Sequence, residues 1–192
     1  MSQLYFHYAS MNAGKSLALL SHANNYKERG MGTLVMKPAI DDRDSSSEIV
    51  SRIGLKQEAN IIKPGMDLLE FFKWAHTQRD IHCVMIDEAQ FLESEQVFQL
   101  CKIVDLYNTP VMCYGLRTDF KGNLFEGSKA LLAVADKLVE LKGVCHCGRK
   151  ATMVARIRED GSAVTEGAQV ELGGEDKYVS LCRKHWCELV GV

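Results

Sequence analysis

Gln3-Leu-Tyr-Phe-His-Tyr-Ala9-Ser-Met-Asn-Ala-Gly14-Lys15-Ser16 is the stretch on which the fold turns. An apolar, aromatic run of strand length, Gln3–Ala9, empties into a short loop ending in Gly-Lys-Ser. Ser16–Arg29 then reads as a helix stopped by Gly30. Strand, loop and helix N-terminus in that order are what a phosphate-binding loop requires. Backbone N–H groups of such a loop wrap phosphate oxygens, and the positive end of the helix dipole adds to the attraction. In this reading Ala9, Ser10, Met11, Asn12, Ala13, Gly14, Lys15 and Ser16 hold a nucleoside triphosphate. Lys15 reaches its β- and γ-phosphates, and the Ser16 hydroxyl ligates Mg²⁺. The first position of the motif is normally glycine. Ala9 stands there, and its methyl predicts a modestly altered strand exit with the site retained.

Outward from this loop the chain alternates strand and helix. Thr33–Pro38 reads as a strand, 41–48 as a polar, Ser-rich loop, and Ile49–Leu55 as a short strand. Met66–Gln78 carries Met66, Leu69, Phe72 and Ala75 at helical spacing. His82–Ile86 is a strand, Ser94–Tyr107 a helix, Pro110–Leu116 a strand and Gly127–Leu141 a helix. Strands apolar throughout, each followed by a helix, imply a parallel sheet covered on both faces. The fold class is α/β, a phosphate-loop NTPase type. After Gly143 the pattern changes to two short strands, Ala151–Ile157 and Tyr178–Leu181, around a Gly- and Glu-rich stretch. That predicts two domains, 1–143 for nucleotide binding and 144–192 as a small β-rich appendage.

Two further clusters carry chemistry. Val84-Met-Ile86 runs straight into Asp87-Glu88, and an apolar strand ending in Asp supplies the carboxylate that orders the Mg²⁺ shell. Parallel strands end on one edge, so Asp87 should lie beside the phosphate loop and share the metal with Ser16. Glu88 points elsewhere and is the candidate general base, able to take a proton from an acceptor hydroxyl. Near the C-terminus Cys145-His-Cys147 and Cys182-Arg-Lys-His185 offer four soft ligands for tetrahedral Zn²⁺ with no open position, a structural site. By spacing alone, His146 or Cys187 could take the place of His185.

Composition narrows the class. The 192 residues carry a formal net charge of −2, with acids and bases interspersed, which argues against a nucleic-acid partner. No apolar stretch is long enough to span a membrane. Met1–Ser10 lacks a basic leader followed by a long apolar run, so the expectation is a cytoplasmic protein. Of the seven cysteines, Cys83, Cys101 and Cys113 sit in apolar runs and read as core residues.

Taken in order, Met11-Asn-Ala-Gly-Lys-Ser16, Ile40-Asp-Asp-Arg43, Asp87-Glu-Ala-Gln-Phe91, Tyr114-Gly-Leu-Arg-Thr-Asp-Phe120, Gly173-Gly-Glu-Asp-Lys-Tyr178 and Cys182-Arg-Lys-His185 resemble the type II thymidine kinases, bacterial subset. The resemblance implies transfer of the γ-phosphate of ATP, with Mg²⁺, to the 5′-hydroxyl of thymidine, and of deoxyuridine as well. It assigns Glu88 as general base, with Asp87 and Gln90 beside the phosphates. Arg43 falls near the triphosphate, and Arg156 near the reacting phosphates. For the nucleoside it implies Met11, Leu116, Phe120 and Phe125, closed over by a "lasso" of about 159–177 ending at Tyr178. The base is gripped there by backbone groups of Gln169, Val170, Glu171, Leu172 and Gly173. It also implies a homotetramer and feedback inhibition by dTTP. Two rival classes remain, a nucleic-acid motor and a non-catalytic nucleotide sensor. A motor needs a second lobe and a basic track that the chain lacks, and a sensor leaves Glu88 without a task.

Overall fold

Along β6 (Cys83–Ile86) every residue is buried, and successive side chains leave on opposite faces of the strand. Val84 and Ile86 enter a core with Leu4, Phe6, Leu34, Met36, Phe72 and Leu100, whereas Cys83 and Met85 enter another with Leu19, Leu20, Val35 and Tyr114. A strand apolar on both faces needs a helical layer on each side, and the sheet has both. A computed structural model describes residues 1–39, 47–169 and 178–192. Its central sheet contains β1 (Leu4–Ala9), β2 (Thr33–Pro38), β5 (Asn60–Ile62), β6, β7 (Val111–Leu116) and β8 (Lys137–Glu140). The order is β5-β2-β6-β7-β1-β8, and every pairing is parallel. Helix α1 (Lys15–Glu28) packs on one face; α2 (Leu68–Gln78), α3 (Ser94–Tyr107) and α4 (Glu126–Val134) cover the other.

Two expected elements differ. The run Gly127–Leu141 is not one helix, because α4 ends at Val134 and Lys137–Glu140 forms edge strand β8 beside β1. Apolar residues continue at helical spacing through the break, so periodicity alone could not find it. The Asp136 carboxylate accepts the Leu4 N–H at 2.7 Å and anchors the chain at the sheet edge. Likewise 49–55 is not one strand. Only Ile49 and Val50 belong to a strand, β3 (Glu48–Val50); 51–55, with Gly54 at φ +85°, turn the chain into β4 (Lys56–Glu58), which pairs antiparallel with β3. The sequence reading also missed β5.

Beyond the sheet come two antiparallel pairs, β9 (Gly143–Val144) with β10 (Lys150–Ala151), and β11 (Met153–Arg156) with β12 (Tyr178–Leu181). Helix α5 (Arg183–Val190), which the sequence reading also missed, packs Trp186 against Cys145, Ala151, Ala155 and Leu181 as a third small core. The expected boundary between residues 143 and 144 falls inside β9.

Candidate functional site

The phosphate loop leaves β1 at Ala9. Ala9 keeps the strand ladder, paired with Leu116 of β7. The unusual backbone falls later, at Asn12 (φ +64°) and Gly14 (φ +82°), residue types that tolerate the left-handed region. Ser10 is buried and its hydroxyl donates to the Ala151 carbonyl at 3.2 Å. The Met11 carbonyl accepts from the Ser180 hydroxyl at 2.7 Å. Lys15 is buried and donates to the Ser10 carbonyl at 3.0 Å.

Met11, Asn12, Gly14, Lys15 and Ser16 line one cleft of about 450 Å³ with Asp87, Glu88 and Leu116. Sheet order explains the meeting: β1 and β6 flank β7, and their C-terminal ends open on the same edge. Asp87 is buried and hydrogen-bonds the Ser16 side chain. Burial and then the adjacent Glu88 hold its carboxyl well above the usual range, opposed by the Ser16 bond and the charge of Lys15. Burial lowers the Lys15 ammonium in turn, opposed by Glu88 and Asp87. Two acids facing a buried lysine beside a helix N-terminus form a site that favours a polyanion carrying its own cation.

Glu88 takes the left-handed conformation, φ +51°, which turns the chain off β6 into the 3₁₀ turn Ala89–Phe91. Its Oε2 accepts from Gln90 Nε2 at 2.5 Å, and Gln90 Oε1 accepts the Leu116 N–H at 2.9 Å. Gln90 is therefore buried between the end of β7 and Glu88. It sits directly behind Glu88, which lines the cleft.

Phe120 and Phe125 lie on the loop between β7 and α4 and are both buried. Phe125 meets Phe91 edge-on at 5.5 Å. Arg156 lies with its guanidinium 4.6 Å over the Phe120 ring and reaches the Ala168 carbonyl at 3.4 Å. It stands on the Phe120 side of the site. Tyr178 is half-buried at the start of β12, opposite Arg156 in register. The Gln169 side chain donates to Asp119. Arg43, Val170, Glu171, Leu172 and Gly173 lie outside the described residues.

Cys145, Cys147, Cys182 and His185 converge, their ligand atoms all within 4.8 Å of one another. Cys147 and Cys182 sulfurs are 3.9 Å apart, and His185 Nδ1 stands 3.4 and 3.5 Å from the Cys145 and Cys182 sulfurs. Tetrahedral zinc with thiolate and imidazole bonds of ordinary length requires ligand separations of about 3.8 Å (S to S) and about 3.6 Å (S to N). The cluster fits that ion. His146 stacks on His185 at 4.3 Å, and Cys187 packs against the neighbouring apolar core. The alternatives left open by spacing thus resolve to His185.

The sequence reading missed part of the cleft. Lys37, at the end of β2, and the hairpin residues from Glu48 to Ile53 also line it, and the charge of Arg52 bears on Lys15. No local pattern marks Ser51-Arg52-Ile53-Gly54 as part of a site. Only the fold of the β3–β4 hairpin over the loop brings it there.

A family model described as thymidine kinase matches residues 2–186. A thymidine kinase of Enterobacteria phage T4 is 69% identical over 98% of this chain and 97% of its own. Those of Vibrio cholerae and Novosphingobium aromaticivorans are 56% and 54% identical, each over the full length of both chains. A phosphate loop facing an Asp-Glu pair would suit many nucleotide enzymes. The same cleft joined to a Cys₃His cluster, with a match along nearly the whole chain, narrows the class to one, and this protein belongs to the thymidine kinase family.

Proposed function

We propose that this protein phosphorylates thymidine to dTMP with Mg·ATP as donor, and that Glu88 is the general base. The observation that carries the reading is the meeting of Asp87-Glu88 with Lys15-Ser16 in one cleft. Residues 9–16 bind the triphosphate, with Lys15 on its β- and γ-oxygens. Ser16 and Asp87 would hold Mg²⁺, which neutralises charge on the transferring phosphoryl group. Leu116 and Phe120 lie at the nucleoside end, with Phe125 and Tyr178. Gln169–Gly173 grip the base through backbone groups. The 5′-oxygen attacks the γ-phosphorus as the bond to the β–γ bridging oxygen breaks, and ADP leaves. The 5′-hydroxyl proton passes to Glu88. Gln90 holds one oxygen of that carboxylate and ties it to Leu116, so the base and the nucleoside end share one support.

In this reading residues 144–192 form a zinc and lasso domain, with one structural Zn²⁺ on the Cys₃His cluster. Deoxyuridine is a second substrate. The protein is a cytoplasmic homotetramer inhibited by dTTP, and light scattering and a dTTP titration test the last two points. The decisive experiment is a nucleoside panel with Mg·ATP. Thymidine should give its monophosphate, and a panel with no phosphorylated nucleoside would sink the proposal. Hydrolysis stimulated by oligonucleotide would favour a motor, and nucleotide binding without transfer a sensor.

A further inference from the structure

The loop carrying Phe120 is closed by Asp119, a buried acid. Its Oδ1 accepts the backbone N–H groups of Lys121 and Asn123 at 2.9 and 2.8 Å. Its Oδ2 points out of the loop and accepts Gln169 Nε2 at 3.0 Å, across fifty residues of chain. Gln169 lies on an arm that folds back on β11: Arg158 N–H donates to Ser162 O at 2.9 Å, and Val164 N–H to Arg156 O at 2.8 Å. The two residues before Gln169 are held at the same seam. Lys121 Nζ donates to the Gly167 carbonyl at 3.1 Å, and Arg156 to the Ala168 carbonyl. Gly167 lies at φ +120°, and a Cβ there would stand 3.0 Å from the Arg156 guanidinium. Gly167, Ala168 and Gln169 are thus each gripped from the Phe120 side. The Asp119–Gln169 contact is the one made by two side chains, and it leaves no buried carboxylate oxygen unmatched.

We propose that Asp119 and Gln169 are positioning residues for the nucleoside. Their bond seats the 157–169 arm on the loop bearing Phe120, and so sets the slot into which the base fits. The proposal rests on the nucleoside reading above, but it assigns these side chains no contact with substrate. Their effect falls on the KM for thymidine, while kcat and the KM for ATP depend on the cleft at Lys15 and Glu88.

The test exchanges donor and acceptor. Gln169→Ala should raise the thymidine KM about tenfold, the size of one buried hydrogen bond to a charged group, with kcat and ATP KM within about twofold of the parent. Gln169→Glu should raise it further by placing two carboxylates together, and the rise should shrink as pH falls and the pair takes up a proton. Asp119→Asn in the Gln169→Glu background puts a donor back opposite an acceptor and should restore the parent KM. Hydrogen exchange of the 157–169 amides, measured without nucleoside or ATP, should rise in Gln169→Glu and return in the double variant. Exchange that ignores Gln169→Glu, or a thymidine KM that the exchange of partners does not recover, overturns the proposal. Losses equal in kcat and both KM values overturn it too. Exchange that responds as expected in a protein that phosphorylates no nucleoside defeats the proposed function instead.

Discussion

At the scale of single residues, the proposed base is set by its turn. Glu88 accepts the left-handed conformation, uncommon for a non-glycine residue, and strain of that kind persists where surrounding contacts over-determine it. Here the Gln90 amide and the Asp87 carboxylate, which accepts the Glu88 N–H at 3.1 Å, supply those contacts. Glu88→Gln should keep ATP affinity and lower kcat by about 10²–10⁴. Steady-state kinetics with a nucleotide titration checks this, and near-normal turnover removes Glu88 from the base role. A second residue sets a pH dependence. His7 is buried on β1 with its Nδ1 unpartnered, stacked on Tyr114 at 4.6 Å and facing His22 at 5.6 Å. Burial first, then the charge of His22, pushes its pKa down from 6.5 to about 4. Between those values the unfolded chain binds more protons than the folded one, so stability rises with pH. The contribution is full above about 6.5 and is lost as pH falls toward 4. Asp87, raised by burial, acts with the opposite sign. Denaturant unfolding of the parent and His7→Phe across that window isolates the histidine: their stability difference should change with pH, and a constant difference would contradict the assignment.

At the scale of elements, the edge of the sheet depends on close backbone approach. A Cβ on Gly115 of β7 would stand 2.8 Å from Gln90 Oε1 and 3.0 Å from Gln90 N. Gly115→Ala therefore pushes the amide that holds Glu88. Overpacking of this kind costs about 1–3 kcal/mol, a Tm drop of roughly 2–12 °C in a chain of this size. Misplacing the base should lower kcat by up to about 10²-fold. A thermal melt paired with kinetics reads both, and a variant that loses stability with full turnover would show that Gln90 can move without moving Glu88. The same scale explains the misread elements. The residues of β8 fit a helix or a strand, and the decision lies in the open edge of β1 and the Asp136 anchor at Leu4.

Across the whole molecule, the zinc-fitting module braces the phosphate loop. Ser10 donates to Ala151, Ser180 donates to the Met11 carbonyl, and Arg117 reaches the Thr152 carbonyl at 3.3 Å. Ser180 and Tyr178 share β12, so one short strand touches both the phosphate loop and the proposed nucleoside end. Stripping the metal with a chelator should lower Tm and raise the ATP KM about 3- to 30-fold, the size of one or two such hydrogen bonds. Readdition of Zn²⁺ should reverse both. An ATP KM indifferent to the metal would confine the module to stability. Among the described residues no helix is long and apolar enough to cross a membrane.

Local pattern alone determined the strand, loop and helix around Lys15, the parallel α/β class, the Asp-Glu pair and the ligand types of the metal cluster. Each is encoded by residues adjacent in the chain or at a fixed period, because pleat, helical turn and metal chemistry act over a few residues. Tertiary structure decided what depends on distant partners. It chose His185 over His146 and Cys187, because ligand geometry is set by where α5 packs. It laid Arg156 over Phe120, brought Arg52 over the phosphate loop, and matched Asp119 with Gln169. Those pairings join side chains far apart in sequence. They exist only because packing sheet, hairpin and metal module together leaves one place for each.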